Sequence, residues 1–454
     1  MEKAKCKGTR LKGFPEVSPD AAGIDVGNTQ HWVAVPPDRD TDSVRRFECF
    51  TADLHAVADW LERCRIKTVA MESTGVYWIA LYEVLESRGF EVCLVNARQA
   101  KNLPGRKTDI KDCQWLQQLH SYGLLTRSFR PQSEIIVLRR YLRHRETLVQ
   151  EAGSCIQRIQ KALTEMNLQL ANVISDISGM TGLRILHAIV EGERDPQRLA
   201  ALCDWRIQAT KAEVMSSLRG NWRDELIFVV EENLAMYEVY QQKIRRCDER
   251  IEQHLKGMSA KVSDNPKPMP APRKRKRPHG NAPAFDLRSE LYRVTGTDLT
   301  QIDGIDVVTA QTVLAETGPD MSAWRTEKHF VSWLGLCPDH RISGGKVLKR
   351  GTRKVVCRAA TAFRMAASTL RRSQSALGAK YRRLQNRMGP AKTITAMAHH
   401  LARLFYRMVK YGSLYVDHGM AIYEARFREQ QLKWLSRKAA ELRCRLTPIE
   451  APAA

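Results

Sequence analysis

A chain of 454 residues is too long for a single core and predicts two or three domains, and its 43% hydrophobic content excludes a wholly disordered protein. The net charge of +23 points to a polyanionic partner, since self-repulsion on that scale serves association with phosphates rather than folding. The 11 cysteines are odd in number and never spaced Cys-x-x-Cys, and no apolar run reaches the roughly 18 residues of a membrane span. Those counts argue against a disulfide framework, a zinc ribbon and a membrane helix, and fit a reducing cytoplasm.

Residues 1–19 are polar and basic and read as an arm. Ala21-Ala-Gly-Ile-Asp-Val-Gly-Asn predicts a short buried strand with Asp25 inside it. His31-Trp-Val-Ala-Val follows at hairpin distance, and Arg46-Phe-Glu-Cys-Phe makes a third strand. Leu54 to Cys64 has helical spacing, and Ile66 to Met71 is a fourth strand with Glu72 at its C-terminal edge. Tyr77 to Arg88 is an amphipathic helix, and Glu91 to Val95 is a fifth strand. Three antiparallel strands, then helix, strand, helix, strand, is the element order of a ribonuclease-H-like α/β fold.

Residues 104–115, Pro-Gly-Arg-Lys-Thr-Asp-Ile-Lys-Asp-Cys-Gln-Trp, carry a turn and then a helix opening near Thr108. Asp109 and Asp112 are three apart, so both carboxylates leave one face of that helix. First-turn acids are also ordinary helix caps. Asp25 and Glu72 favour a metal site instead, because an Asp inside a strand is costly unless paired or bound to a cation. Acids in the first strand, at the end of the fourth and on a later helix follow the metal-site pattern of the ribonuclease-H-like fold.

From Ile135 a heptad pattern runs through Leu138, Leu142, Val149, Ala152, Ile156, Ile159, Leu163, Met166 and Leu170, interrupted only by Arg145. This predicts a long coiled-coil-like helix that breaks near Gly179. A second long helical stretch, about Ala212 to Leu255, would pair with it as an antiparallel hairpin or between subunits. Residues 259–284 form a linker rich in Pro, Lys and Arg, including Arg273-Lys-Arg-Lys-Arg, which is either solvated or nucleic-acid-binding.

The remainder predicts a mainly helical domain over 285–420 and a helical tail over 421–454. Leu299 to Ala310 resembles a helix-hairpin-helix centred on Gly304, a motif that grips phosphate or packs protein. Arg341-Ile-Ser-Gly-Gly-Lys then places Ser343 beside two glycines, followed by Lys346, Lys349, Arg350, Arg353 and Lys354. His340 to Val416 contains no Asp or Glu, as expected of a phosphate-binding surface. Ser332, in Phe330-Val-Ser-Trp-Leu, reads as a packed helical residue.

Gly23-Ile-Asp-Val-Gly, Ala70-Met-Glu-Ser-Thr-Gly, Lys107-Thr-Asp-Ile-Lys-Asp, Gln301-Ile-Asp-Gly-Ile and Gly335-Leu-Cys-Pro through Ile342-Ser-Gly-Gly-Lys occur in this order. Together they resemble the insertion-sequence one-ten family of transposases, the bridge-RNA-guided DEDD recombinases, over roughly residues 20–415. The resemblance implies a RuvC-like domain over 20–130, a coiled coil over 131–258 and a serine-bearing transposase domain over 285–420. It implies that Asp25, Glu72, Asp109 and Asp112 hold Mg²⁺ and that Ser343 is the nucleophile. It also implies that donor and target DNA are the substrates, a structured guide RNA is a partner, and the protein is a nucleoid-associated homo-oligomer, a dimer or tetramer, joined through the coiled coil. The basic arm, the linker and the tail depart from that family's pattern. Two rivals remain: a hydrolytic RuvC-like nuclease or Holliday-junction resolvase without a covalent serine, and a non-catalytic nucleic-acid-binding scaffold.

Overall fold

Ala21, Ala22 and Ile24 are fully buried in β1 (Ala21–Val26), because this strand lies at the centre of its sheet. β2 (Gln30–Ala34) and β3 (Val44–Glu48) add antiparallel on one side, while β4 (Thr68–Glu72) and β5 (Glu91–Val95) add parallel on the other. The order is therefore β3-β2-β1-β4-β5. Parallel neighbours need crossovers, and α1 (Thr51–Arg63) and α2 (Trp78–Ser87) supply them. Ile24, Val33, Val57, Trp60, Leu61, Leu81 and Leu85 form the core beneath these two helices. The opposite face carries α3 (Asp109–Ser121), whose Leu116 packs with Cys93 and Val95. This mixed sheet, followed by a mostly helical body, is consistent with the ribonuclease-H-like α/β reading.

The computed structural model describes residues 15–96, 108–261, 268–272, 281–349, 351–353, 355–412, 419–445 and 447, and it divides at Arg130/Pro131 into two compact units. Most of the basic arm, residues 104–107, the Arg273-to-Arg277 run, Arg350 and Lys354 lie outside the described residues. Every described cysteine is free, and no described helix is long and apolar enough to cross a membrane.

The second unit begins with α4 (Ser133–Glu165) and then α5 (Leu170–Val173), α6 (Met180–Val190), α7 (Pro196–Ala201), α8 (Lys211–Ser217) and α9 (Asp224–Gly257). α4 and α9 pack antiparallel within the chain: His254 bonds the Glu134 carbonyl near one end, and Ile159 shares a core with Val230 and Leu234 near the other. The heptad face of α4 is thus used inside the chain. Two sequence expectations change here. The first helix ends at Glu165, ahead of both Leu170 and Gly179, and the second begins at Asp224 rather than near Ala212. The two breaks hold each other: Gln169 N–H donates to the Ser217 carbonyl at 2.7 Å and Asn221 N–H to the Met166 carbonyl at 2.8 Å. Asn167 takes a left-handed φ of 55°, which Asn tolerates better than most residues.

Arg145, the one residue that interrupts the heptad, is buried and paired. Its Nε donates to Asp248 Oδ1 at 2.5 Å and its Nη2 to Oδ2 at 3.2 Å. Nη2 also donates to the Asn281 carbonyl at 3.0 Å, and Ala284 N–H donates to Asp248 at 3.2 Å. The pair therefore fixes the helix register and pins the chain where it leaves the linker. Arg145→Ala strands a buried carboxylate and should lower stability by about 3–5 kcal/mol, whereas Arg145→Met with Asp248→Leu should recover most of that. Urea unfolding of the single and double variants checks both.

The rest of the unit comprises α10 (Leu287–Thr295), a 3₁₀ turn at Leu299–Gln301, α11 (Val307–Thr317) and α12 (Glu327–Trp333). A hairpin of β6 (Arg341–Ser343) and β7 (Lys346–Lys349) follows. α13 (Arg358–Thr369), α14 (Ala376–Met388), α15 (Pro390–Tyr411) and α16 (Met420–Glu441) complete it. Phe330, Phe363, Leu401, Phe405 and Tyr406 are buried together at its centre.

Candidate active site

Side chains alternate along a strand, so the core assigns the faces of the sheet. Ile24 and Val26 of β1 and Val69 and Met71 of β4 join the core under α1 and α2. Asp25 and Glu72 therefore leave the opposite face, the one that α3 covers. Ile24 pairs with Met71 in the parallel register, which makes Asp25 and Glu72 the next residues along on adjacent strands.

The direction of α3 is set by its contacts. Cys113 and Gln117 lie against Gly23, the Gln117 amide donates to the Ala21 carbonyl at 3.3 Å, and His120 Nε2 meets Thr68 Oγ1 at 2.8 Å. Moving along α3 from Cys113 to His120 thus leads toward the N-terminal ends of β1 and β4. The helix N-terminus, with Asp109 and Asp112, lies at the other end, where Asp25 and Glu72 stand. All four predicted acids occupy one edge of one sheet face.

Thr108, not an aspartate, caps α3: its Oγ1 accepts from Lys111 N–H at 3.3 Å. The cap is thus Thr108, and Asp109 and Asp112 stand in the first turn, where the helix dipole also favours acids. Asp112 and Glu72 are half-buried and Asp109 is exposed, and Thr74 Oγ1 donates to Glu72 at 2.8 Å. Beside them the buried Cys113 thiol is pushed up to about 12, first by burial and then by the Asp25 and Asp112 charges. It stays protonated at neutral pH and adds no charge to the acidic edge.

Sequence reading gave no role in this site to three of its residues. Cys113 is one. Trp32 is another: it stands opposite Asp25 in the β1–β2 register, and its buried indole N–H has no partner among the described residues. The third is Gly23, where an added Cβ would lie 2.3 Å from both the Cys113 carbonyl and Gln117 N. The Gly two residues before the strand Asp was the available signal. Gly23→Ala must push α3 off β1, so it should cost about 1–3 kcal/mol of stability and lower strand cleavage at least ~10-fold. Thermal unfolding alongside a cleavage assay checks this; wild-type cleavage would show that the close seating is dispensable.

Among the described residues no three His, Cys, Asp or Glu groups close into a ready-made cation cluster. The donor set nevertheless fits a hard divalent cation. Mg²⁺ prefers carboxylate oxygens and is usually held by one or two carboxylates together with substrate phosphates and water, rather than by an all-protein cage.

In the second unit Ser343 ends β6 and pairs in register with Lys346 of β7. Both are exposed. Gly344 and Gly345 between them have φ of 54° and 74°, the two left-handed positions of a tight hairpin turn. Arg353 is committed elsewhere, since its Nη2 donates to Ser332 Oγ at 3.2 Å and to the Ser332 carbonyl. Ser332 itself is half-buried on α12, as expected of a packed residue. Lys349 lies on β7.

Gly304 sits in a turn with φ of 89°, where a Cβ would come within 2.9 Å of the Ala366 carbonyl and 3.1 Å of Leu370. Asp306 caps the following helix by accepting from Thr309 N–H at 2.8 Å. This close seating explains why residue 304 is a glycine. The acid-free segment shows its charge in another way. Burial, then Arg383 and Arg403, pushes the Lys380 ammonium down. His400 is pulled to about 3 by burial and then by Lys380 and Arg403. Burial is the leading cause of both shifts, and Arg403 is itself ion-paired with Glu327 from outside the segment.

Residues 22–168 match the IS110 DEDD transposase family, and residues 296–382 match the transposase family IS116/IS110/IS902. Together the two matches span just over half of the chain. No curated protein matches it.

Proposed function

This chain belongs to the IS116/IS110/IS902 family of transposases, enzymes that cleave and rejoin DNA, and we propose that it does so through a covalent phosphoserine at Ser343. The observation that carries the serine reading is the exposed Ser343 hydroxyl, in register with Lys346 and followed by two left-handed glycines. Glycines there let a phosphate approach the backbone closely.

In this mechanism the Ser343 hydroxyl loses its proton and Oγ bonds to phosphorus. The backbone P–O bond breaks, and the departing strand oxygen takes up a proton. Lys346 neutralises charge on the phosphorane. The hydroxyl of the incoming strand then attacks the phosphoserine, and Oγ leaves and regains a proton. One phosphate ester replaces another, so rejoining needs no external energy source. Asp25, Glu72, Asp109 and Asp112 would hold Mg²⁺ at the sheet edge, and a divalent cation there would polarise phosphate oxygens. The substrates are donor and target DNA, a structured non-coding RNA guides them together, and the protein works as a dimer or tetramer.

A denaturing gel tests the reading. Labelled DNA should stay on the protein through SDS and heat, and digestion with mass spectrometry should place the nucleotide on Ser343. Cleavage without retention would favour the hydrolytic nuclease.

The acid-free segment also sets an expected salt response. If it neutralises about six phosphates, affinity for duplex DNA or structured RNA should fall on the order of 10³-fold between about 50 and 200 mM salt. Filter binding across that range checks it, and a flat profile would remove the electrostatic account.

A further inference from the structure

Among the described residues, α16 is anchored at its start alone. The Arg383 guanidinium lies 3.7 Å over the Phe427 ring and 5.3 Å from Tyr423, and Arg382 reaches Met420. From Arg428 onward its residues are exposed apart from the half-buried Ala439. Yet Leu432, Leu435, Ala439 and Leu442 follow a 3-4-3 spacing, the signature of a helix face that meets another helix. Leu432, Trp434 and Leu435 are 48%, 57% and 41% exposed. Arg426, Arg428, Lys433, Arg437 and Lys438 surround them, against Glu429 and Glu441.

The first half of α9 has the opposite character. Its inner face packs on α4, but Phe228, Met236 and Val239 are 60%, 44% and 42% exposed on the outer face. Asp224, Glu231 and Glu238 flank that stripe at every seventh residue, with Glu225 and Glu232 inside it, and residues 224–242 hold no Lys or Arg. In a chain of net charge +23 this acidic stretch stands apart. Glu232 on one helix and Arg428 on the other interrupt the two apolar stripes with opposite signs.

We propose that the outer face of α9 receives the basic apolar face of α16 from a second copy of this chain. Charge complementarity selects this occupant. Two α16 helices would bring like charges together, and nucleic acid would be repelled by the α9 acids. The proposal rests on the oligomeric part of the proposed function and is independent of the serine chemistry.

Sedimentation equilibrium and capture of an untagged copy by a tagged one provide the test. Lys433→Glu with Arg437→Glu on α16, or Glu231→Lys with Glu238→Lys on α9, should each cut capture at least tenfold. Combining all four changes in one chain should restore it. These residues are exposed, so circular dichroism should show unchanged helix content in every variant. A wild-type protein that sediments as a monomer would sink the oligomeric reading itself. A wild-type oligomer that ignores both charge reversals would overturn the α9–α16 contact alone. So would α16 variants that keep capture but lose RNA or DNA retention, which would assign the helix to nucleic acid instead.

Discussion

Ser343→Ala should abolish strand exchange and the protein–DNA adduct, a loss of about 10³-fold or more, while DNA and RNA binding stay near wild type. The size of the loss separates two roles for one hydroxyl. A serine that only donates a hydrogen bond to phosphate contributes about 0.5–1.5 kcal/mol, so its removal would cost roughly tenfold at most. A nucleophile has no substitute in the site, because the bond that stores the strand end is lost with it. Backbone strain does not confuse the result, since the left-handed residues of the turn are Gly344 and Gly345 and the side chain at 343 is exposed. Recombination by Ser343→Ala, or an adduct on Ser332, would refute the assignment. The Ser332 hydroxyl already faces the Arg353 guanidinium at 3.2 Å, which makes it the necessary control.

Asp25→Ala is expected to eliminate strand cleavage, with a loss of at least ~10³-fold and little change in nucleic-acid retention. Asp25 is central among the four acids: it neighbours Glu72 across the β1–β4 register and lies with Asp112 about the Cys113 thiol. Removing it takes away a hard oxygen donor at the heart of the acidic edge. Titration of Mg²⁺ against thermal unfolding gives a second readout: the wild-type midpoint should rise with the cation and that of Asp25→Ala should not. Wild-type cleavage by Asp25→Ala would remove the carboxylate from the chemistry.

The sequence by itself determined the N-terminal elements, because each carries a local signal. Alternating or continuous apolar runs bounded by turns mark the five strands, and an isolated Asp or Glu inside or at the end of such a run is conspicuous. The sequence showed Ser343 only as a serine beside two glycines in a basic loop, and the hairpin that carries it appeared with the structure. Helix ends were less legible. The pattern from Ile135 to Leu170 reads as continuous, but the break after Glu165 depends on hydrogen bonds to Asn221 and Ser217, some fifty residues away. Only tertiary structure decided what Arg145 does, because its partner Asp248 lies 103 residues on. It also decided why Gly23 and Gly304 are glycines, each facing a backbone carbonyl of a distant helix. Finally, among the described residues it left the outer face of α9 and the seam of α16 uncovered, where periodicity alone could not say which faces had already met a partner. Local spacing specifies an element and its polarity, whereas contacts between segments far apart in the chain arise only when the backbone closes on itself.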